Sequence, residues 1–390
     1  MIGEQQGSLF HLPTASPALP SDYHPVHPPH FEVARIVLAK GSIATPERKR
    51  FVEGICALYP NAPVSDCTNI SHNRIDLGKL APIALHRAGK HTLVFGELAS
   101  AVRFSEEEGN SCPNYWHFSP YGFCPYGCKY CYLAGTRGVW YSPSVKIYVN
   151  LPEIIKQVDR TANRLAQPTA FYLGKLQDGL ALDPLTAYST VLVPFFAHHP
   201  WARQVLLTKS ASVDRLLDLD HGGHTILSWS LNPPEVADAF EENVPSVAER
   251  LEAMRRCAER GYPIRAVIMP VIPVDDWRRA YETFLTELVR TVPLRRVTFG
   301  GICIYKGARR LMETKLGRDN AISNAIVEDS PTGDGRARYA PALRLEMYAH
   351  MIACVRRVKP RLELALCLED VEIWQQLGIQ SRLGRCNCVL

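Results

Sequence analysis

The chain reads as an α/β fold with parallel strands, and three observations predict it. Six β-rich apolar runs lie between residues 114 and 302. Helical patterns separate most of them, as in residues 246–260, where Val247, Leu251, Met254 and Ala258 form one stripe. The residues best suited to chemistry fall at the C-terminal ends of these runs. Strands alternating with helices imply right-handed crossovers, hence a doubly wound sheet or an incomplete (β/α) barrel. Both architectures put function where the strands end.

The elements follow in order. Residues 1–30 hold six prolines, including "HPVHPPH", and read as a Pro-rich disordered arm outside the fold. His24, His27 and His30 within it read as solvated. Residues 31–110 form a small N-terminal α/β unit, with strands in "ARIVLAKG" and "HTLVFGEL" and a helix from about Pro46 to Leu58. Residues 111–310 carry the core strands "NYWHFS", "TAFYLG", "QVLLTK", "TILSWSLN", "PIRAVIMPVI" and "RRVTFGGI". Residues 311–390 form a C-terminal extension. Its polar stretch 318–338 reads as a loop, followed by a helix over 341–357, a strand in "RLELALC", a short helix and the tail "CNCVL".

Bulk properties narrow the function. No run approaches the ~18 apolar residues of a membrane span. No basic stretch followed by an apolar core opens the chain, so cytoplasmic location (of a host cell, if the gene is viral) is the expectation. Twelve cysteines in 390 residues are too sparse for a disulfide scaffold, and they cluster. A net charge of +5 permits a polyanionic partner without demanding one.

The sharpest motif is "YGFCPYGCKYCYLAGT". Cys124, Cys128 and Cys131 follow a C-x3-C-x2-C pattern in one turn-rich segment just after the first core strand. Structural zinc wants four ligands, commonly in two separated pairs. Three thiolates on one loop suit a [4Fe-4S] cluster with one iron left open. The pattern, with Tyr130 before the last cysteine, resembles the signature of the radical S-adenosylmethionine (SAM) enzymes. That resemblance implies a partial (β/α)6 barrel, SAM chelated at the open iron, a one-electron donor such as flavodoxin or ferredoxin, and a 5′-deoxyadenosyl radical that abstracts a substrate hydrogen.

From about residue 33 to 368 the chain further resembles the spore photoproduct lyase family, which repairs a thymine dimer in DNA. "SHNRI" and "GCKYCYL" carry it, as do "LLTKSASVDRLLD", "SWSLNPPEV" and "GRARYAPALRLEMY". The resemblance implies a hydrogen-transfer relay at Tyr130 and Tyr132, SAM contacts at Lys209, Ser230 and Asn232, and an acidic position near the SAM ribose at Asp178. Each has a plain alternative: packing for the tyrosines, a surface lysine, a strand-ending turn at Asn232, loop capping at Asp178.

The resemblance breaks at one place. The family's hydrogen-donating cysteine would fall at Gly174–Lys175, where no thiol stands. Either Cys386 or Cys388 of the tail supplies the thiol, or the substrate radical takes hydrogen back from 5′-deoxyadenosine. The tail pair has two other readings, as ligands of a shared metal or second cluster with Cys367, or as an inert end. Arg336, Arg338 and Arg344 are candidates to track phosphates. The expected function is radical modification or isomerisation of a thymine derivative, in DNA or as a nucleotide. Dimer repair, chemistry on a small metabolite or peptide, and a non-catalytic Fe–S DNA-binding protein are the alternatives.

Overall fold

The computed structural model describes residues 18–106, 109–136, 139, 142–327 and 335–390. Its core is an eight-stranded sheet. The strands are β4 (Val102–Ser105), β5 (Tyr115–Phe118), β8 (Thr169–Leu173), β9 (Ala202–Thr208), β10 (Thr225–Ser230), β11 (Ile264–Ile268), β12 (Leu294–Phe299) and β15 (Glu363–Leu366). They lie in the order β15-β12-β11-β10-β9-β8-β5-β4. Every pairing is parallel except β4 with β5. The six expected core strands are all present, as adjacent members of one open (β/α) barrel.

Local sequence explains the elements. β11 reads IRAVI and is buried along its whole length, as befits a parallel strand covered on both faces. The helix Val247–Glu259 that precedes it begins with a capping box, Ser246 with Glu249. The helices Pro46–Cys56, Leu151–Leu165 and Pro341–Val358 carry proline in the first turn, where its missing N–H costs nothing.

A second sheet runs in the order β2-β1-β3-β7-β6. It comprises β1 (Arg35–Ala39), β2 (Val64–Cys67), β3 (Thr92–Gly96), β6 (Tyr121–Gly122) and β7 (Val145–Tyr148). Both sheets draw strands from across the expected boundary near residue 110. β7 lies C-terminal of it and pairs with β3. β4 lies N-terminal of it and pairs with β5. A hairpin of β13 (Ile326–Val327) and β14 (Arg338–Tyr339) forms within the stretch expected as loop.

Two expectations need correction. Residues 18–30 are packed on the fold, not a free arm; residues 1–17 lie outside the described residues. Leu19 is buried, Tyr23 donates to the Leu185 carbonyl at 2.8 Å, and the Val26 amide donates to the Pro184 carbonyl at 2.9 Å. Prolines favour extended chain, and extended chain can lie along a surface when apolar side chains find a groove. Arg338 and Arg344 are buried and not phosphate-facing. Arg344 pairs with Glu369 and Asp370, and Arg338 with Asp370 at 3.0 Å.

The barrel interior is filled in an unexpected way. Ser228, Arg265 and Arg296 form a polar layer in its middle, and the C-terminal tail supplies acceptors to all three. Ser228 donates to Asn387 Oδ1 at 2.9 Å. Arg265 donates to the Asn387 and Val389 carbonyls at 3.1 and 2.6 Å. Arg296 donates to the Cys386 carbonyl at 2.6 Å. Val389 and Leu390 pack with Tyr115, Tyr172 and Val205. The open barrel edges are drawn together by Ser111, whose amide and hydroxyl both donate to the Glu369 carbonyl.

Candidate active site

A cavity of about 490 Å³ opens at the C-terminal ends of the barrel strands. Cys124, Cys128 and Cys131 line one side of it. They sit on the loop after β6, and Phe123, immediately before, adopts φ 62°. That left-handed backbone is costly for a bulky residue and turns the loop sharply inward. The loop is docked by its backbone. The Gly127 amide donates to the Glu242 carbonyl and the Lys129 amide to the Phe240 carbonyl, each at 2.8 Å. A Cβ at Gly127 would lie 2.9 Å from that Glu242 oxygen, so only glycine permits the approach. Lys90 reaches in below, donating to the Tyr126 carbonyl at 2.6 Å and lying 3.8 Å from the Phe123 ring centre.

Burial pushes the Cys124 thiol up, and pushes Cys128 up to about 12, with Lys209 pulling the other way. A buried thiol gives up its proton readily when a cation replaces it. Three thiols on one loop, facing one cavity, fit an iron–sulfur cluster as the chemistry of the donor set requires.

The remaining sequence-predicted residues divide. Lys209 and Ser230 line the cavity, and Lys209 Nζ donates to Ser230 Oγ at 2.6 Å. Tyr132 lines it too, its hydroxyl donating to the Lys175 carbonyl. Tyr130 is also at the wall, its hydroxyl on Glu241. Asp178 lines the cavity but is occupied as a cap. Its Oδ1 accepts from the Leu180 and Ala181 amides and from Thr208, and its Oδ2 accepts from the Lys209 amide. Asn232 lies behind the wall. Its Oδ1 accepts from Tyr281 at 2.8 Å, and its buried Nδ2 has no partner among the described residues. Cys386 and Cys388 both line the cavity, as do Cys112 and Cys367.

Sequence reasoning missed Glu241. It is a buried carboxylate behind the wall, 2.6 Å from Arg250 and 3.7 Å from Lys209. Burial alone would raise its carboxyl, but Lys209 and Arg250 outweigh that and hold it below the usual range. Nothing in "FEENV" marks this glutamate over its neighbour, because its partners come from three other segments. Cys112 was likewise missed, having no second cysteine near it in sequence.

A parallel half-barrel with three thiols on a loop at its mouth is the architecture of a radical SAM enzyme. Comparison with known proteins narrows the class. The sequence model described as spore photoproduct lyase matches residues 51–316. The chain is 31% identical to the spore photoproduct lyase of Geobacillus sp. (strain Y412MC61) over 264 residues, covering 64% of this chain and 75% of that one. Among solved structures, a cysteine-to-alanine mutant of spore photoproduct lyase with dinucleoside spore photoproduct matches with a TM-score of 0.74 at 25% identity. That match covers 87% of this chain and 99% of the other. A double mutant with bound AdoMet and dinucleoside spore photoproduct gives the same TM-score at 24% identity, over 86% and 98% of the two chains. The chain belongs to the spore photoproduct lyase family.

Proposed function

We propose that this enzyme abstracts hydrogen from a thymine-type base, in DNA or in a nucleotide, and modifies or isomerises a thymine derivative instead of splitting a dimer. The substrate class is supported by the dinucleoside spore photoproduct carried by solved relatives, and SAM by the AdoMet found in one of them. The departure from dimer cleavage is carried by the end of β8. A Cβ at Gly174 would lie 2.7 Å from Leu207 Cβ, so a cysteine has no room there. Lys175 points its amine at the Ser105 hydroxyl, and an N–H is a far poorer hydrogen-atom donor than an S–H.

Cys124, Cys128 and Cys131 would hold a [4Fe-4S] cluster, which would supply the one-electron reduction of SAM, fed by a donor of the flavodoxin or ferredoxin type. The chain's own residues bind and orient. Lys209 offers its ammonium to the SAM carboxylate, steadied by Ser230. Asp178 shapes the turn that presents Lys209. Asn232, behind the wall and beyond the end of β10, holds the Tyr281 hydroxyl. Tyr130 is fixed by Glu241 as part of the wall, while Tyr132 faces the cavity as the hydrogen-relay candidate. Arg336 lines the same cavity, 5.6 Å from the Tyr305 ring centre, and gives a cation for a substrate phosphate. A base within duplex DNA would have to be flipped to enter.

The test is anaerobic reconstitution with dithionite and SAM. 5′-Deoxyadenosine is expected; none above a Cys128→Ala control sinks the reading. Deuterium on the substrate then separates two outcomes. Return of label from 5′-deoxyadenosine to product supports isomerisation with SAM recycled. Loss of label to solvent supports the second reading, repair with Cys386 or Cys388 as donor, which their place in the cavity wall favours. Salt-dependent retention on thymine-rich DNA distinguishes either from a small-metabolite substrate.

A further inference from the structure

The inward faces of the barrel strands form layers, because residues two apart on a strand point the same way. Ser228 stands in register with Arg265, and Arg265 with Arg296, so the three make one layer across β10, β11 and β12. Two residues further along, Ser230, Val267 and Thr298 make the next layer, about 6.6 Å higher, and all three line the cavity. Lys209, at the end of β9, borders this upper layer through Ser230. We propose that the tail, held on the lower layer, is the floor of the active-site cavity, and that Cys386, Asn387 and Cys388 set the size of the substrate group that can lie beneath the SAM site.

Three features argue for it. The first is anchoring. The interior of a (β/α) barrel is a packed core, not a pore. Here the lower layer offers a serine and two arginines, and the tail fills the space they leave. Arg265 and Arg296 both donate to the Val389 carbonyl, at 2.6 and 3.1 Å, and Arg296 also to the main-chain oxygen of Leu390 at 3.0 Å. Taking those acceptors away would strand buried guanidinium charge, so the tail is tied to the fold. The second is direction. Asn387 is held at two points, its carbonyl by Arg265 and its Oδ1 by Ser228. Val389 and Leu390 then run on to pack with Tyr115, Tyr172 and Val205, so the tail crosses the barrel from the β12 side to the β8 side. The third is placement. Cys386, Asn387 and Cys388 all line the cavity, and Cys386 and Asn387 are buried. The tail lies beyond the residues matched by the family model.

The cavity of about 490 Å³ has to hold SAM and the reacting end of the substrate together. A change of one side chain on the floor therefore changes the space left under Lys209. The identity of the ligand rests on the thymine reading above; the position of the tail does not.

The experiment measures anaerobic binding of thymidine monophosphate, and of deoxyuridine monophosphates with progressively larger 5-substituents, to the reconstituted, unreduced full chain with SAM present. Affinity should fall as the substituent grows. Deleting residues 386–390 together with Arg265→Met should flatten that fall, raising affinity for the largest substituent by about tenfold. That variant strands no guanidinium, because Arg296 keeps Glu363 at 3.2 Å. Cys388→Leu keeps the tail's anchors, raises the floor and should steepen the fall; it serves if the deletion fails to fold. A second readout needs no substrate. Iodoacetamide should label Cys388 in the reconstituted chain, and SAM should protect it, as read by peptide mass mapping. The same size dependence in wild type and variants overturns the proposal. So does a Cys388 that reacts equally with and without SAM, or not at all. If wild type binds none of the nucleotides, the thymine reading fails, and protection by SAM still decides the position of the floor.

Discussion

Replacing Glu241 with glutamine probes the buried charge cluster behind the cavity wall. The carboxylate faces the Arg250 guanidinium at 2.6 Å, with both side chains 1% exposed, and the Lys209 ammonium at 3.7 Å. Removing one partner of a buried ion pair costs ~3–5 kcal/mol, because the other charge is stranded. Arg250 keeps two carbonyl partners, Pro245 at 2.8 Å and Ser230 at 3.3 Å, and Lys209 keeps Ser230. That places the loss at the low end, ~3 kcal/mol. Denaturant unfolding of wild type, Glu241→Gln, Arg250→Met and the double variant measures it as a cycle. The double variant should recover much of the loss, since it leaves no guanidinium stranded. The pH profile gives a second readout. Glu241 is held below the ordinary glutamate range, so its contribution is present above that range and lost as pH falls through the folded value. The glutamine variant should therefore lose less stability on acidification. A single-variant loss below ~1 kcal/mol, or a double variant no better than the single, refutes the reasoning.

Three further outcomes are expected. Lys209→Met should weaken SAM binding by about tenfold, ~1.4 kcal/mol, in anaerobic calorimetry; unchanged affinity removes the residue from the cofactor site. Gly174→Cys should destabilise the fold by ~1–3 kcal/mol through its clash with Leu207, and should not confer dimer cleavage. Burial pushes the Lys146 amine down to about 7, while it donates to the Ser142 and Ser144 carbonyls at 2.8 Å. From there toward the ordinary lysine range the unfolded chain binds more protons, so stability should rise with pH. Lys146→Met should flatten that rise in thermal melts taken at about pH 7 and about pH 9.

The sequence by itself determined the six core strands and the three-cysteine loop. Each strand is a local apolar run, and the motif lies within eight residues, so its geometry depends on one turn. The ends of β9 and β10 were legible for the same reason: Lys209 and Ser230 stand where apolar runs stop, and parallel strands bring such ends to one mouth. Only the tertiary structure decided the rest. β7 was invisible as a member of the N-terminal sheet, because pairing with β3 is a choice of neighbour, not of propensity. Arg338 and Arg344 read as surface cations until Glu369 and Asp370, from a distant loop, buried them. Glu241 gained its place when the loop after β10 met the cysteine loop. Cys112 and Cys367 reach one cavity because Ser111 and Glu369 close the barrel seam, and Cys386 and Cys388 reach it because two interior arginines hold the tail's carbonyls. Non-local contacts of this kind follow from which strands become neighbours and where the barrel closes, and no spacing along the chain records that.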